Sequence, residues 1–415
     1  MRYLISGYYG EKNAGDEAIL AGILQEIERR DPEARFTVLS FDPADTERRH
    51  SSSGRDLEAM STSLRSPALL RAAIKDADLL ISGGGSFLHE ADFELHGRSF
   101  LLREGKLRPI PYFLSVVLTA RAQGLPIMWY AQGLGPLRTR SARRLVAVAG
   151  SVSQVATWRD QDSARLAYEV GVRAPFQMVV PDPAYALTPA PAAAAGEALE
   201  AAGMSGDAGY LAVCPRSWLG RSGYLESLGV ALDRVAASLD LDILCVPFHE
   251  VQDLSVCDTI AARPALAGRA HVLSPVESPA LLAAILGSAQ LVVAMRLHSG
   301  ILSATAGTPA VVIDYDPKTK AFAAQTGQTR WAVDVDDLEA TAAASVVSAD
   351  AASGVTRLVG AIMDTAADLK RRRSALAAAV APLRAEAGRT AGLAVHLASG
   401  RASLSGRTSS SRRIP

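Results

Sequence analysis

The chain has 415 residues, 49% of them hydrophobic and 21% charged, with 43 Lys plus Arg balanced by 43 Asp plus Glu. Single cores rarely grow past roughly 250–300 residues, so two domains are expected, and the balanced charge excludes a global field for nucleic acid, which leaves any anion site to be built locally. The three cysteines, Cys214, Cys245 and Cys257, lack metal or disulfide spacing and fit a reducing cytoplasm.

Met1 to Gly7 lacks the apolar run of a signal peptide and reads as a first strand. No stretch approaches the about 18 uninterrupted apolar residues that a membrane span requires. Short β-branched runs then alternate with helical periods, the pattern of parallel strands joined by crossover helices. In the first half, strands are expected near 2–6, 35–41, 78–82, 127–132, 153–158 and 177–180, and helices near 16–30, 67–76, 109–124, 140–150 and 161–171. The Pro- and Ala-rich passage from Pro181 to Gly196 interrupts this periodicity and places a boundary near 190. Beyond it, strands are expected near 209–214, 241–247, 271–273, 290–294 and 309–313, with helices near 222–239, 252–263, 278–287, 297–306 and 336–345. Two Ala/Leu/Arg-rich helical patterns follow residue 350, and the last stretch is Ser, Gly and Arg with little to bury.

The expected fold class is therefore α/β: an N-terminal Rossmann-like domain over 1–190, a C-terminal one over 191–350, helices over 351–398 and a disordered tail over 399–415. Two such domains with a cleft between them form the layout of GT-B-like glycosyltransferases, an analogy of architecture and not of reaction.

Ligands of open parallel sheets collect beyond the carboxyl ends of strands, so the loops there carry the functional signal. The first loop, Gly7 to Asp16, has glycines at P-loop separation but Asp16-Glu17 where that motif needs Lys and Ser or Thr. Carboxylates would repel phosphate, so a nucleotide is disfavoured; Asn13 and Asp16 suit sugar hydroxyls, with helix capping by Asp16 an equal alternative. The second, Gly83-Gly84-Gly85-Ser86, reads as a ligand-facing loop in preference to a tight turn. Tyr130 to Pro136, including Gln132, looks like another wall of the same crevice. Arg159 either points into the cleft or pairs with Asp160.

In the second domain Arg216, Arg296-Leu297-His298 and Asp314 to Lys318 each end a predicted strand. A phosphate plus a carboxylate needs several positive donors, Arg as a fork and Lys as a point charge. A bound trianion favours the charged imidazole, which suits His298 as a general acid. Alone, a helix-start histidine reads as structural; beside Arg296 and Lys318 it reads as functional. His249 is a weaker candidate, and His89 and His96 lack metal spacing.

Together, Gly7-Tyr8-Tyr9-Gly10 with Asn13-x-Gly15-Asp16-Glu17, Ser82 to Ser86, Ala131 to Pro136, Arg159-Asp160, Pro181 to Ala184, Arg216, Arg296-Leu297-His298 and Tyr315 to Lys318 occur in order. The set resembles the polysaccharide pyruvyl transferase family, especially bacterial enzymes that pyruvylate secondary cell wall polysaccharide precursors for S-layer anchoring. The resemblance implies phosphoenolpyruvate as donor, a 4,6-linked pyruvate ketal as product, and a lipid diphosphate-linked acceptor containing N-acetylmannosamine. By position it implies Arg216, Arg296, Lys318 and Arg159 on the donor and His298 as the acid, while Asn13, Asp16, Gly84, Gly85, Ser86 and Gln132 are expected on the acceptor side. No metal or cofactor is expected beyond phosphoenolpyruvate as co-substrate, and no nucleic acid. A lipid-linked acceptor would bring the enzyme to the inner face of the membrane, where Lys370 to Arg373 would either attract headgroups or form a solvated helix face, the simpler reading. The rivals are a GT-B nucleotide-sugar glycosyltransferase, which predicts tight nucleotide binding, and a noncatalytic sugar-phosphate binder, which predicts binding without phosphate release.

Overall fold

The alternation of apolar runs and helical periods produces two parallel sheets in a computed structural model that describes residues 1–51, 54–61, 67–90, 102–103, 106–107, 109–204, 209–343 and 353–408. The chain divides into two units. Unit 1 holds Met1–Glu11, Ile19–Ala186 and the segment from Ala385 onward; unit 2 holds Lys12–Ala18 and Leu187–Arg384.

The first sheet is built from β1 (Arg2–Ser6), β2 (Arg35–Ser40), β3 (Asp56–Ser61) and β4 (Leu79–Leu88); a short antiparallel pair, β5 (Leu102–Arg103) and β6 (Lys106–Leu107), stands apart, and β7 (Ile127–Leu134), β8 (Val155–Trp158) and β9 (Phe176–Val179) complete it. Its order is β3-β2-β1-β4-β7-β8-β9. The helices that accompany it are α1 (Ala14–Glu28), α2 (Pro43–His50), α3 (Pro67–Asp76), α4 (Pro109–Ala122), α5 (Arg140–Ser151) and α6 (Gln161–Val170). Local chemistry sets their ends: Asp160 accepts from the Ser163 N–H at 2.7 Å to open α6, and Gly171, at φ 93°, closes it. Strand β7 is buried at every position, as expected of a parallel sheet covered on both faces, and Trp129 packs edge-on against Trp158 with ring centroids 5.6 Å apart.

Unit 2 contains α7 (Ala192–Ala201), β10 (Tyr210–Cys214), α8 (Gly223–Leu239), β11 (Asp242–Cys245), α9 (Leu254–Ala261), β12 (Ala270–Val272), α10 (Pro279–Ser288), β13 (Leu291–Ala294), α11 (Leu297–Thr305), β14 (Ala310–Asp314), α12 (Pro317–Gln325), β15 (Ala332–Asp334), α13 (Val335–Ala343) and α14 (Gly354–Ala367). Its parallel sheet has the order β12-β11-β10-β13-β14-β15, and its core is the apolar set of β10, β11, β13 and β14 packed on α8 and α14. In both units the chain fills one side of the sheet and then returns to the other. The resulting switch points fall between β1 and β4 and between β10 and β13, where open α/β sheets bind ligands.

Several sequence expectations need correction. The Gly83 to Gly85 triplet is not a loop after a strand ending at 82: it lies inside β4, which runs on to Leu88. All three glycines have positive φ, and a Cβ on Gly84 would stand 2.5 Å from Ile19 Cγ2, so the backbone at Gly84 lies close against α1. Residues 12–18, expected with the N-terminal domain, group with unit 2. The final helix, α15 (Leu369–Thr408), continues past Ser399, where a tail was expected, because extending a formed helix costs little; the residues after 408 lie outside those described. The cations at 370–373 are not one surface patch. Lys370 and Arg371 are exposed, but Arg372 is buried 3.6 Å from the Trp331 ring centroid and donates to the Ala310 carbonyl, while Arg373 donates to the Ala289 carbonyl at 2.9 Å.

Candidate active site

Three neighbouring strands of unit 2, β10, β13 and β14, send chemistry-bearing residues to their carboxyl ends. After β10 comes Arg216, whose Nη1 donates to the Tyr315 hydroxyl at 2.6 Å and whose guanidinium lies 5.0 Å from the Trp218 ring and 4.8 Å from the Tyr315 ring. Tyr224 donates to the Arg216 carbonyl at 2.5 Å and so holds the loop; burial pushes this phenol up to about 12, which keeps it a donor. Among the described residues Arg216 has no carboxylate partner, so aromatic faces orient its charge without neutralising it.

After β13, Arg296 is the N-cap of α11 and His298 stands in its first turn, where the positive end of the helix dipole adds to the local potential. Arg296 is clamped by fully buried Asp253, Nε to Oδ2 at 2.9 Å and Nη2 to Oδ1 at 2.6 Å. After β14, Lys318 stands in the first turn of α12, which Asp316 and Thr319 close with a capping box. Tyr315, three residues earlier, links this turn to Arg216; burial raises its phenol against the opposing pull of Arg216 and Arg296. The switch point between β10 and β13 is therefore bordered by Arg216 and Arg296, with Lys318 beyond the end of the next strand, β14.

The start of α1 joins this group. Asn13 forms a β-bridge with His249, Ala14 N–H donates to the Phe248 carbonyl at 2.8 Å, and Glu250 N–H donates to the Lys12 carbonyl at 3.2 Å. Gly15 lies directly against His298: a Cβ there would be 2.3 Å from the imidazole Nδ1. Asn13 also donates to Asp16 at 2.7 Å. His249 accepts from the Val251 N–H on Nδ1 at 3.3 Å, and burial, then the charge of Arg296, lowers its proton affinity below the usual histidine range.

Unit 2 thus gathers Asn13, Asp16, Arg216, Arg296, His298 and Lys318. The other expected site residues belong to unit 1. There Arg159 pairs with buried Asp182 at 3.2 Å, not with Asp160, and donates to Ser86. Gln132 is fully buried, its amide donating to the carbonyls of Gly85 at 3.0 Å and Gly133 at 2.7 Å. At the switch point of this sheet, the Tyr9 hydroxyl donates to the Gly83 carbonyl at 2.8 Å, and its ring fills the space beside Gly7 that a phosphate cradle would use. His89 is half-buried, and His96 lies outside the described residues.

Sequence reasoning missed Asp253, Trp218 and Tyr224. An Asp opening a helix soon after a buried strand was the available signal for Asp253, but it reads first as an ordinary cap.

The family model for polysaccharide pyruvyl transferase matches residues 13–317. The chain belongs to this family. The matched span opens at Asn13, takes in Arg216, Arg296 and His298, and stops one residue before Lys318. Membership supports transfer of a pyruvyl group to a polysaccharide. Comparison with curated proteins gives no match. Among solved structures, the chain is similar to the UDP-GlcNAc 2-epimerase from Neisseria meningitidis bound to UDP-GlcNAc, with 12% identity, 96% of this chain and 99% of that one covered, and a TM-score of 0.58. It is similar also to Anabaena HepE in complex with UDP-glucose (12% identity, 92% and 100% covered, TM-score 0.52) and to the alpha,alpha-trehalose 6-phosphate synthase of Burkholderia multivorans (10%, 98% and 99%, 0.51). Likeness at this identity establishes the GT-B-like α/β fold expected from the sequence. Among the described residues no helix is long and apolar enough to cross a membrane.

Proposed function

We propose that the chain transfers the pyruvyl group of phosphoenolpyruvate to a sugar of a lipid-linked cell-wall polysaccharide precursor, forming a 4,6-ketal and releasing phosphate. The observation that carries this reading is the group of Arg216, Arg296 and Lys318 at the carboxyl ends of β10, β13 and β14, beside His298. Three cations match a ligand with a phosphate and a carboxylate on one carbon atom, and the N-terminus of α11 adds to their field.

In this reading His298 gives its proton to the methylene carbon of phosphoenolpyruvate, and positive charge develops at C2. A sugar hydroxyl bonds to C2 and loses its proton to a carboxylate. The C2–O bond to phosphate then breaks as the second hydroxyl closes the ring; one hydroxyl proton restores His298 and the other leaves with phosphate. Asp16 is better supported as the base than Asp314: it follows Gly15, which abuts His298, whereas Asp314 accepts from the Thr319 hydroxyl at 2.8 Å. Asn13 would orient the acceptor. Roles for Arg159 on the donor and for Ser86, Gln132, Gly84 and Gly85 on the acceptor belong to the same proposal, as do N-acetylmannosamine in the acceptor, S-layer anchoring, work at the inner membrane face and the need for no cofactor.

The test is to incubate the protein with phosphoenolpyruvate and lipid diphosphate-linked disaccharides, measuring inorganic phosphate and product mass. Wild type should release phosphate and yield a ketal, and His298→Ala should do neither. Full turnover by the variant would remove His298 as the acid, and tight binding of UDP with no phosphate release would favour nucleotide-sugar transfer.

A further inference from the structure

We propose that Asp253 is a positioning residue that holds Arg296 in the plane in which it receives the anionic groups of the donor. The proposal rests on the pyruvyl-transfer reading and adds to it a residue that touches no substrate.

Asp253 occupies the N-cap of α9, where an aspartate ordinarily contributes about 1 kcal/mol by accepting a hydrogen bond from its own helix. Its carboxylate makes no such bond. It turns instead to Arg296, accepting from Nε and Nη2, and takes a third bond from the His249 N–H at 2.9 Å. A local preference is forgone, and a fully buried carboxylate is matched to one arginine through two parallel bonds, which fix the guanidinium plane as a single contact cannot. Nη1 makes no hydrogen bond among the described residues and is the group left for a ligand. The Asp253 N–H also donates to the His249 carbonyl at 2.9 Å, so residues 249 to 253 close into a turn tied at both ends to one carboxylate. Ser217, next to Arg216, donates to the Gln252 carbonyl at 3.3 Å. One carboxylate therefore sets the plane of one arginine and the loop that abuts the other.

A carboxylate beside an anion-binding arginine weakens its pull by simple Coulomb opposition. A mere counter-charge and a positioning group thus predict opposite signs. Phosphoenolpyruvate binding to the full chain would be measured by calorimetry, with KM and kcat from phosphate release and melting temperature alongside. Asp253→Asn, which removes the charge, should bind phosphoenolpyruvate about tenfold more weakly with kcat changed much less, as for loss of ground-state binding. Asp253→Glu, which keeps the charge but moves the carboxylate by one methylene, should show the same loss. Either folded variant binding as well as wild type or more tightly overturns the proposal, as does a lower melting temperature with unchanged KM. Wild type that takes no phosphoenolpyruvate overturns the pyruvyl-transfer reading and this proposal with it.

Discussion

Gly15→Ala adds one methyl group directly against the proposed acid. The new Cβ would lie 2.3 Å from His298 Nδ1, 2.8 Å from Cγ and 3.1 Å from the His298 Cβ. Favourable separations between such atoms begin at about 3.5 Å, so the ring must retreat by roughly 1 Å. Misplacing a reacting group by that distance costs on the order of a hundredfold in rate, or ~2.7 kcal/mol of barrier. Stability should change much less: Ala is favoured over Gly in a helix by about 1 kcal/mol, which offsets part of an overpacking cost of about 1–3 kcal/mol. The assay is phosphate release from phosphoenolpyruvate in the presence of acceptor, paired with thermal unfolding. Gly360→Ala in α14 is the control, since its Cβ would meet nothing within 4 Å; it should keep full turnover and unfold at the same temperature or higher. A Gly15→Ala enzyme that folds and turns over at the wild-type rate would refute the placement of His298 at the reacting centre.

Arg216→Lys keeps the charge but loses the planar group set against Trp218 and Tyr315. A charge-assisted bond contributes about 1.5–3 kcal/mol, so KM for phosphoenolpyruvate should rise about ten- to a hundredfold with little change in melting temperature. His249, held below its ordinary 6.5, binds its proton less readily folded than unfolded, so stability declines as pH falls below that ordinary value. Denaturant unfolding of His249→Gln should therefore show a smaller loss between about pH 7.5 and about pH 5 than wild type; an equal loss would contradict the assignment. Gly84→Ala would force a Cβ to within 2.5 Å of Ile19 Cγ2 and 2.9 Å of Ile23 Cδ1 at φ +75°. The folded protein should lose more than about 2 kcal/mol by denaturant titration.

The central strands were legible because burial on both faces leaves near-continuous apolar runs, as in VVI of β14 and LVVA of β13. The edges were not. Strand β3 reads Asp-Leu-Glu-Ala-Met-Ser and β15 only Ala-Val-Asp; edge strands are short and charged, which erases the pattern that identifies a strand. Strand β4 was cut short at its glycines, whose rarity in strands is a statement about packing side chains and not about a place where neighbours approach the backbone. In the site, Arg216, Arg296, His298 and Lys318 were legible as residues that end strands or open helices in one domain. The grouping of Lys12 to Ala18 with unit 2 was not, because it depends on a β-bridge from Asn13 to His249, more than two hundred residues away in the chain. The capping preference of Asp253 concealed its bond to Arg296.

The most direct test of the proposed chemistry is to run the reaction in deuterium oxide with phosphoenolpyruvate and a lipid-linked acceptor, and to read the ketal methyl group by mass spectrometry and NMR. Protonation of the methylene carbon by His298 predicts one deuterium in each product methyl group, and no product from His298→Ala. Product with an unlabelled methyl group, or labelled product from His298→Ala at the wild-type rate, would contradict it.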